Sequence, residues 1–212
     1  PYRFLRAPKN RFGGPGRVGM FEMTDSGLKS LTPAASIERA RQARTMDVCG
    51  SVYTPIFCGD RPSIVEIQAL VCDPVGNTGK KVIEGISSTR VNIILGVLQK
   101  HAGIHLAGHD LIVKVVGGMR VDDPLVDLAV AAAITSSAVD TPFPEDVAIF
   151  GEVGLTGEIM RHQGGGTIDS RLRVAREMGF QTSLGPHNVP DIKSAMSWES
   201  FLEEIGKTSE AD

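Results

Sequence analysis

Residues 124–138, PLVDLAVAAAITSSA, carry a single charged side chain, that of Asp127. A helix that is apolar around nearly its whole circumference is stable only when other elements cover it on most sides. Asp123-Pro124 opens it well, because the missing N–H of proline has no helical partner at the first position. The chain must therefore build layers around a mostly buried helix, and the remaining sequence supplies them. Residues 18–23, 48–57, 63–72, 110–116, 147–152 and 181–184 read as strands from β-branched content or alternation. Gly59-Asp60-Arg61-Pro62 is turn chemistry and makes 48–72 a hairpin. Helical spacing recurs at Val91, Ile94, Leu95 and Leu98, and again over residues 171–178, which end at Gly179. Residues 197–205 place Trp198, Phe201, Leu202 and Ile205 on one side of an amphipathic helix. Residues 36–44 predict a short polar helix capped by Ser36, and 27–35 a turn-rich stretch. This order of strands and helices predicts an α/β (α+β) two-layer sandwich.

The 212 residues are 42% hydrophobic and 22% charged, enough for one domain with a short extra piece. Aromatics make up only 5%, so aliphatic packing must carry the core. A formal net charge of −3 excludes a nucleic-acid wrapper held by overall charge, though not a local basic patch. Cys49, Cys58 and Cys72 form no C-x-x-C pair, so no zinc ribbon is expected within the chain. They read as buried strand residues in a reducing compartment. No apolar run of about 18 residues predicts a membrane span. The chain begins with Pro1 rather than Met and is expected to be the C-terminal part of a longer protein. Residues 1–17 are basic and rich in Gly and Pro, a linker or strand tail.

Three stretches carry a family resemblance. LRAPKNRFG (5–13) is similar to the KNRFG motif of the RadA/Sms family of bacterial DNA-repair ATPases. VGMFEMTDSGL (18–28) and EIQAL (66–70) resemble the segments that follow it. FGEVGLTGEI (150–159) resembles the family's late strand-turn signature, and RVNIILGVLQK (90–100) and VGGMRVDDPLVDL (116–128) fall in family order. The resemblance implies residues 1–17 as the tail of a RecA-like ATPase domain and 18–212 as a Lon-protease-like domain of the ribosomal S5 domain 2-like fold. It implies a DNA-dependent ATPase that promotes branch migration of recombination intermediates, with this region as ring scaffold and DNA-facing surface. ATP, Mg²⁺ and a structural Zn²⁺ are implied for the whole protein, and no cofactor for this part. The implied partners are single-stranded DNA, recombination intermediates, a RecA-type recombinase and further copies in a hexamer. The implied location is the bacterial cytoplasm or an organelle of bacterial ancestry. No Gly-rich phosphate loop with Lys and Ser/Thr occurs in the chain, so it has no means of its own to hold a nucleoside triphosphate.

The resemblance gives Lys9, Asn10, Arg11, Phe12 and Gly13 the role of sensing a neighbouring subunit's nucleotide and coupling it to DNA. A cation on a short linker can stabilise charge on a neighbour's phosphates, as an arginine finger does. A solvated basic linker is the plainer reading of the same residues. Arg161, Arg171, Arg173 and Arg176 are candidate contacts to a DNA backbone, with Arg173 and Arg176 on one helix face. An ordinary solvated face paired with Glu177 is the alternative. Lys100 and Lys114 are weaker candidates. Gly164-Gly165-Gly166 reads as a flexible loop.

Active Lon domains use a Ser–Lys dyad, and a lysine base works only where burial leaves it neutral. The position implied for the nucleophile is Leu125, which has no nucleophilic atom, and residues 164–176 contain no lysine. The expected domain is therefore proteolytically inactive, with no catalytic residue. Ser136 and Ser137, at a helix end, read as capping or surface residues. His101, His105 and His109 recur every four residues, but Gly103 and Gly108 interrupt them, so a surface loop rather than a metal site is expected. Asp122, Asp123 and Asp127 suit a helix N-terminus without a metal. Two other readings stay open: an assembly domain of a ComM or magnesium-chelatase-like ATPase, and a peptidase with an unrecognised nucleophile.

Overall fold

The computed structural model describes residues 2–6, 18–31, 48–58, 61–74, 76, 78–161 and 165–197. Strands β1 (Tyr2–Arg6), β2 (Val18–Thr24) and β3 (Gly27–Leu31) form a three-stranded antiparallel sheet. This sheet straddles position 17/18, where the sequence predicts a boundary. The turn-rich reading of 27–35 is corrected over its first five residues. Thr24 Oγ1 donates to the Gly27 carbonyl at 2.8 Å, and Gly27 takes φ 110, so a tight turn returns the chain directly into β3.

The main sheet has six strands: β4 (Ser51–Cys58), β5 (Arg61–Cys72), β6 (Lys81–Glu84), β7 (Asp110–Val115), β8 (Val147–Ile149) and β11 (Thr182–Leu184). Their spatial order is β11-β8-β4-β5-β7-β6. The β4–β5 and β5–β7 pairs are antiparallel, and the β11–β8, β4–β8 and β6–β7 pairs parallel. Between β8 and β11 the chain makes a two-stranded ribbon, β9 (Glu152–Val153) with β10 (Ile159–Met160).

Helix α1 (Ser88–Val97) runs into a π-helical turn, Leu98–Ala102, that ends at left-handed Gly103. A 3-10 turn at Pro124–Val126 leads into α2 (Asp127–Ala138), whose residues 127–137 are all buried, as its composition requires. Helices α3 (Gly165–Glu177) and α4 (Ile192–Met196) follow. Because β-strand side chains alternate in direction, Val52, Ile56, Val65, Ile67, Val113 and Val115 pack with α1 and α2 on one face. Tyr53, Ile64 and Ala148 point the other way and form a smaller core with Val174, Ala175 and Phe180. This mixed sheet with its helical layer is the predicted α/β sandwich, and α3 adds cover over β4, β5 and β8. Beyond α3 the second face exposes Leu70, Ile112 and Val82, which lie side by side in register across β5, β7 and β6.

Three other local readings are corrected. Gly165 and Gly166 belong to α3 rather than to a flexible loop. Ser136 and Ser137 are buried, not surface residues. Ser136 Oγ accepts from the Gly50 N–H at 2.9 Å and donates to the Thr141 carbonyl, while Ser137 Oγ accepts from the Val71 N–H. The end of α2 thus satisfies strand backbone that the ladder leaves unpaired. The close approach requires glycine at position 50, where a Cβ would overlap the Ala69 carbonyl oxygen at φ +75. Cys72, at the end of β5, is exposed, and Cys49, in the turn before β4, is only partly buried. The predicted helix at 36–44, the predicted helix at 197–205 after Ser197, and the KNRFG residues Lys9–Gly13 lie outside the described residues. Among those described, no helix is long and apolar enough to cross a membrane.

Candidate functional site

The start of α2 gathers most of the chemistry predicted from sequence. Asp123 is extended and its Oδ1 accepts from the Leu125 N–H at 3.0 Å, which caps the 3-10 turn. Its Oδ2 accepts from Arg171 Nη2 at 2.6 Å. Arg171 is 3% exposed, its Nη1 donates to the Pro55 carbonyl, and its guanidinium lies 5.1 Å from the centre of the Phe57 ring. One buried fork therefore ties α3 to β4 and to the start of α2. This corrects Arg171 as a DNA contact, since the side chain is buried and both terminal nitrogens are bonded inside the fold. The signal was present: Ile168, Arg171, Val174, Ala175 and Met178 share one helical stripe, so Arg171 sits on the apolar face.

Leu125 is itself buried, so the position implied for a protease nucleophile packs in the core as an aliphatic side chain. The three aspartates do three separate things. Asp122 is exposed and Asp123 caps. Asp127 accepts from Arg90 Nη1 at 3.0 Å and from the Val153 N–H at 3.4 Å. Burial raises the Asp127 carboxyl to about 6, against the opposing pull of the Arg90 charge and its hydrogen bonds.

Asp127 and Arg90 form the floor of a cleft of about 440 Å³. Its walls come from the start of α1 (Ser87, Thr89, Ile93), from Asp122, and from the β9–β10 ribbon (Glu152, Gly154, Leu155, Met160). Sequence reasoning missed this cleft because it is made of short pieces from four separate regions.

The other basic candidates are dispersed. Arg173 and Arg176 are exposed on α3, and Arg173 Nε lies 3.9 Å from Glu177 Oε1 in a solvent-exposed pair. Arg161 is exposed just after β10, and Lys114 and Lys100 are exposed on β7 and the π-helical turn. His101 sits in that helical turn, with Nε2 3.2 Å from the Leu155 carbonyl oxygen, whereas His105 and His109 lie in the following loop. Among the described residues no three His, Cys, Asp or Glu side chains are grouped to hold a metal ion.

No family model matches the chain. It is 39% identical over 188 residues to the DNA repair protein RadA of Aquifex aeolicus, covering 89% of this chain and 41% of that protein. It is 38% identical over 190 residues to RadA of Escherichia coli, covering 89% and 40%. With RadA of Halalkalibacterium halodurans it shares 35% over 213 residues, covering 100% of this chain and 44% of the relative. The chain thus spans about two fifths of the length of the curated relatives it matches.

Proposed function

Because the chain belongs to the RadA family of DNA repair proteins, we propose that it is the C-terminal, Lon-protease-like part of a DNA-dependent ATPase. That ATPase acts on recombination intermediates and promotes their branch migration. In this reading residues 18–212 serve as the scaffold of a hexameric ring and as a surface toward single-stranded DNA. Lys9 and Arg11 reach a neighbouring subunit's nucleotide. ATP, Mg²⁺ and zinc belong to the rest of the protein, a RecA-type recombinase is a partner, and the setting is a bacterial cytoplasm. The observation that carries the reading is similarity to RadA over nearly the whole chain.

The domain works here without peptide chemistry. Nucleophilic catalysis needs a nucleophile and a base within hydrogen-bond reach. At the start of α2 the side chain is the buried aliphatic Leu125. Arg173 and Arg176 remain as exposed cations for a phosphate backbone.

The test uses the full-length protein. ATP hydrolysis is measured with and without single-stranded DNA, for the native sequence and for Lys9→Ala. DNA should stimulate the native protein, and Lys9→Ala should lose most of the stimulation while keeping its circular-dichroism spectrum. Unstimulated turnover in the native protein rejects the DNA-dependent ATPase, and full stimulation in the variant rejects the role of Lys9.

A further inference from the structure

Eleven large hydrophobic side chains are exposed among the described residues, and three of them, Ile93, Leu155 and Met160, line one cleft. Leu155 is the most exposed of all, at 73%. It stands at the tip of the β9–β10 ribbon, where an apolar side chain gains nothing from water. The tip is held in place. The Gly154 N–H donates to the Glu158 carbonyl at 2.9 Å, and the Gly157 N–H donates to that of Gly154 at 3.0 Å. His101 from the helical turn meets the Leu155 carbonyl. Gly157, at φ +87, lies so close to His101 that a Cβ there would come within 2.8 Å of the ring. The apolar rim is thus set before anything binds, which lowers the ordering cost of binding.

The charge of the cleft is one-sided. Asp122, Asp127 and Glu152 contribute three carboxylates and Arg90 one cation. Arg90 is already engaged by Asp127 at 3.0 Å. A phosphate backbone entering here would meet acids, whereas a cation would be attracted.

We propose that this cleft is a docking site for a linear segment of a partner protein that carries an arginine or lysine beside large apolar residues. The cation faces Asp122, and the flanking apolar side chains cover Leu155, Ile93 and Met160. Shape and charge here favour such a segment over a nucleic acid. The site is separate from the nucleotide and DNA roles proposed above, and it makes no bond and breaks none.

The experiment is a fluorescence-anisotropy titration of the chain with a fluorescein-labelled peptide of sequence Ser-Leu-Arg-Leu-Ser. The Ser-Leu-Glu-Leu-Ser peptide and a labelled oligothymidylate are run in parallel. The arginine peptide should bind saturably, and the glutamate peptide at least about tenfold more weakly. Asp122→Asn and Leu155→Ser should each weaken the arginine peptide by about threefold or more. Both positions are exposed, and a circular-dichroism spectrum checks that the fold is kept. Equal binding of the two peptides overturns the proposal, as does no saturable binding or binding unchanged in both variants. Oligothymidylate competing with the peptide and weakened by the same two variants also overturns it, in favour of a nucleic-acid site.

Discussion

Asp127 is 5% exposed, and burial raises its carboxyl from an ordinary 3.8 to about 6 although Arg90 lies 3.0 Å away. The two opposing effects can be ranked from that direction: loss of water outweighs the ion pair. Between pH 3.8 and about 6 the folded chain holds a proton on this residue that the unfolded chain has released. Stability must therefore fall as pH rises through that window, by up to about 3 kcal/mol at roughly 1.4 kcal/mol per unit. His187 acts the other way. Burial holds its imidazole below 6.5, so folding loses support as pH falls through that value. A comparison of the native chain with Asp127→Asn cancels His187, which both contain. Urea unfolding should find the native chain losing up to about 3 kcal/mol relative to the variant between about pH 4 and about pH 7. A difference that is flat, or that grows in favour of the native chain, refutes the assignment.

Elements in this molecule are joined by a few polar contacts between otherwise aliphatic surfaces, and Arg171 is the principal one. Helix α3, with Phe180 just after it, covers β4, β5 and β8 through a small cluster, Val174, Ala175 and Phe180 against Tyr53, Ile64 and Ala148. The Arg171 fork adds Asp123 and the Pro55 carbonyl to that contact. Removing one partner of a buried pair leaves the other charge poorly solvated and costs roughly 3 kcal/mol. Arg171→Met, which keeps most of the volume, should lower the melting temperature by about 6–12 °C. Asp123→Asn added to it should cost less than it does alone, because the unpaired carboxylate is then gone. Strict additivity in that cycle would mean the pair is not coupled. The burial of Arg171 was legible from its helical stripe, and the long strands were legible from alternation. The four residues of β6 and the two residues each of β9 and β10 were not, since no period can be read over so short a run. Gly165 and Gly166 read as a loop because glycine disfavours helix interiors, yet they occupy the first turn of α3. The apolar character of Leu125 was visible in the sequence. The cleft was not: Arg90, Asp122, Asp127 and Leu155 are each ordinary where they stand, and only the fold brings them together.

At the scale of the whole molecule, a net charge of −3 repels nucleic acid. Any DNA contact of this region must then come from a local group of cations free to leave their intramolecular partners. Arg171 is excluded by burial; among the described candidates Arg173 and Arg176 on α3, Arg161 after β10, and Lys100 and Lys114 are exposed. The Arg173–Glu177 pair does not compete strongly, because both side chains are more than half exposed and such pairs are worth about 0–1 kcal/mol. Each cation that neutralises a phosphate of single-stranded DNA releases counterions and contributes about 0.7 to the slope of log affinity against log salt. Full-length protein carrying Arg173→Ala and Arg176→Ala together should therefore bind single-stranded DNA with a slope shallower by about 1.4, measured over a salt series. Since neither side chain is buried, the melting temperature should stay within a degree or two. An unchanged slope with weakened binding would mean that the arginines act through structure rather than on phosphate. An unchanged slope with unchanged affinity would move the DNA-facing surface off α3 altogether.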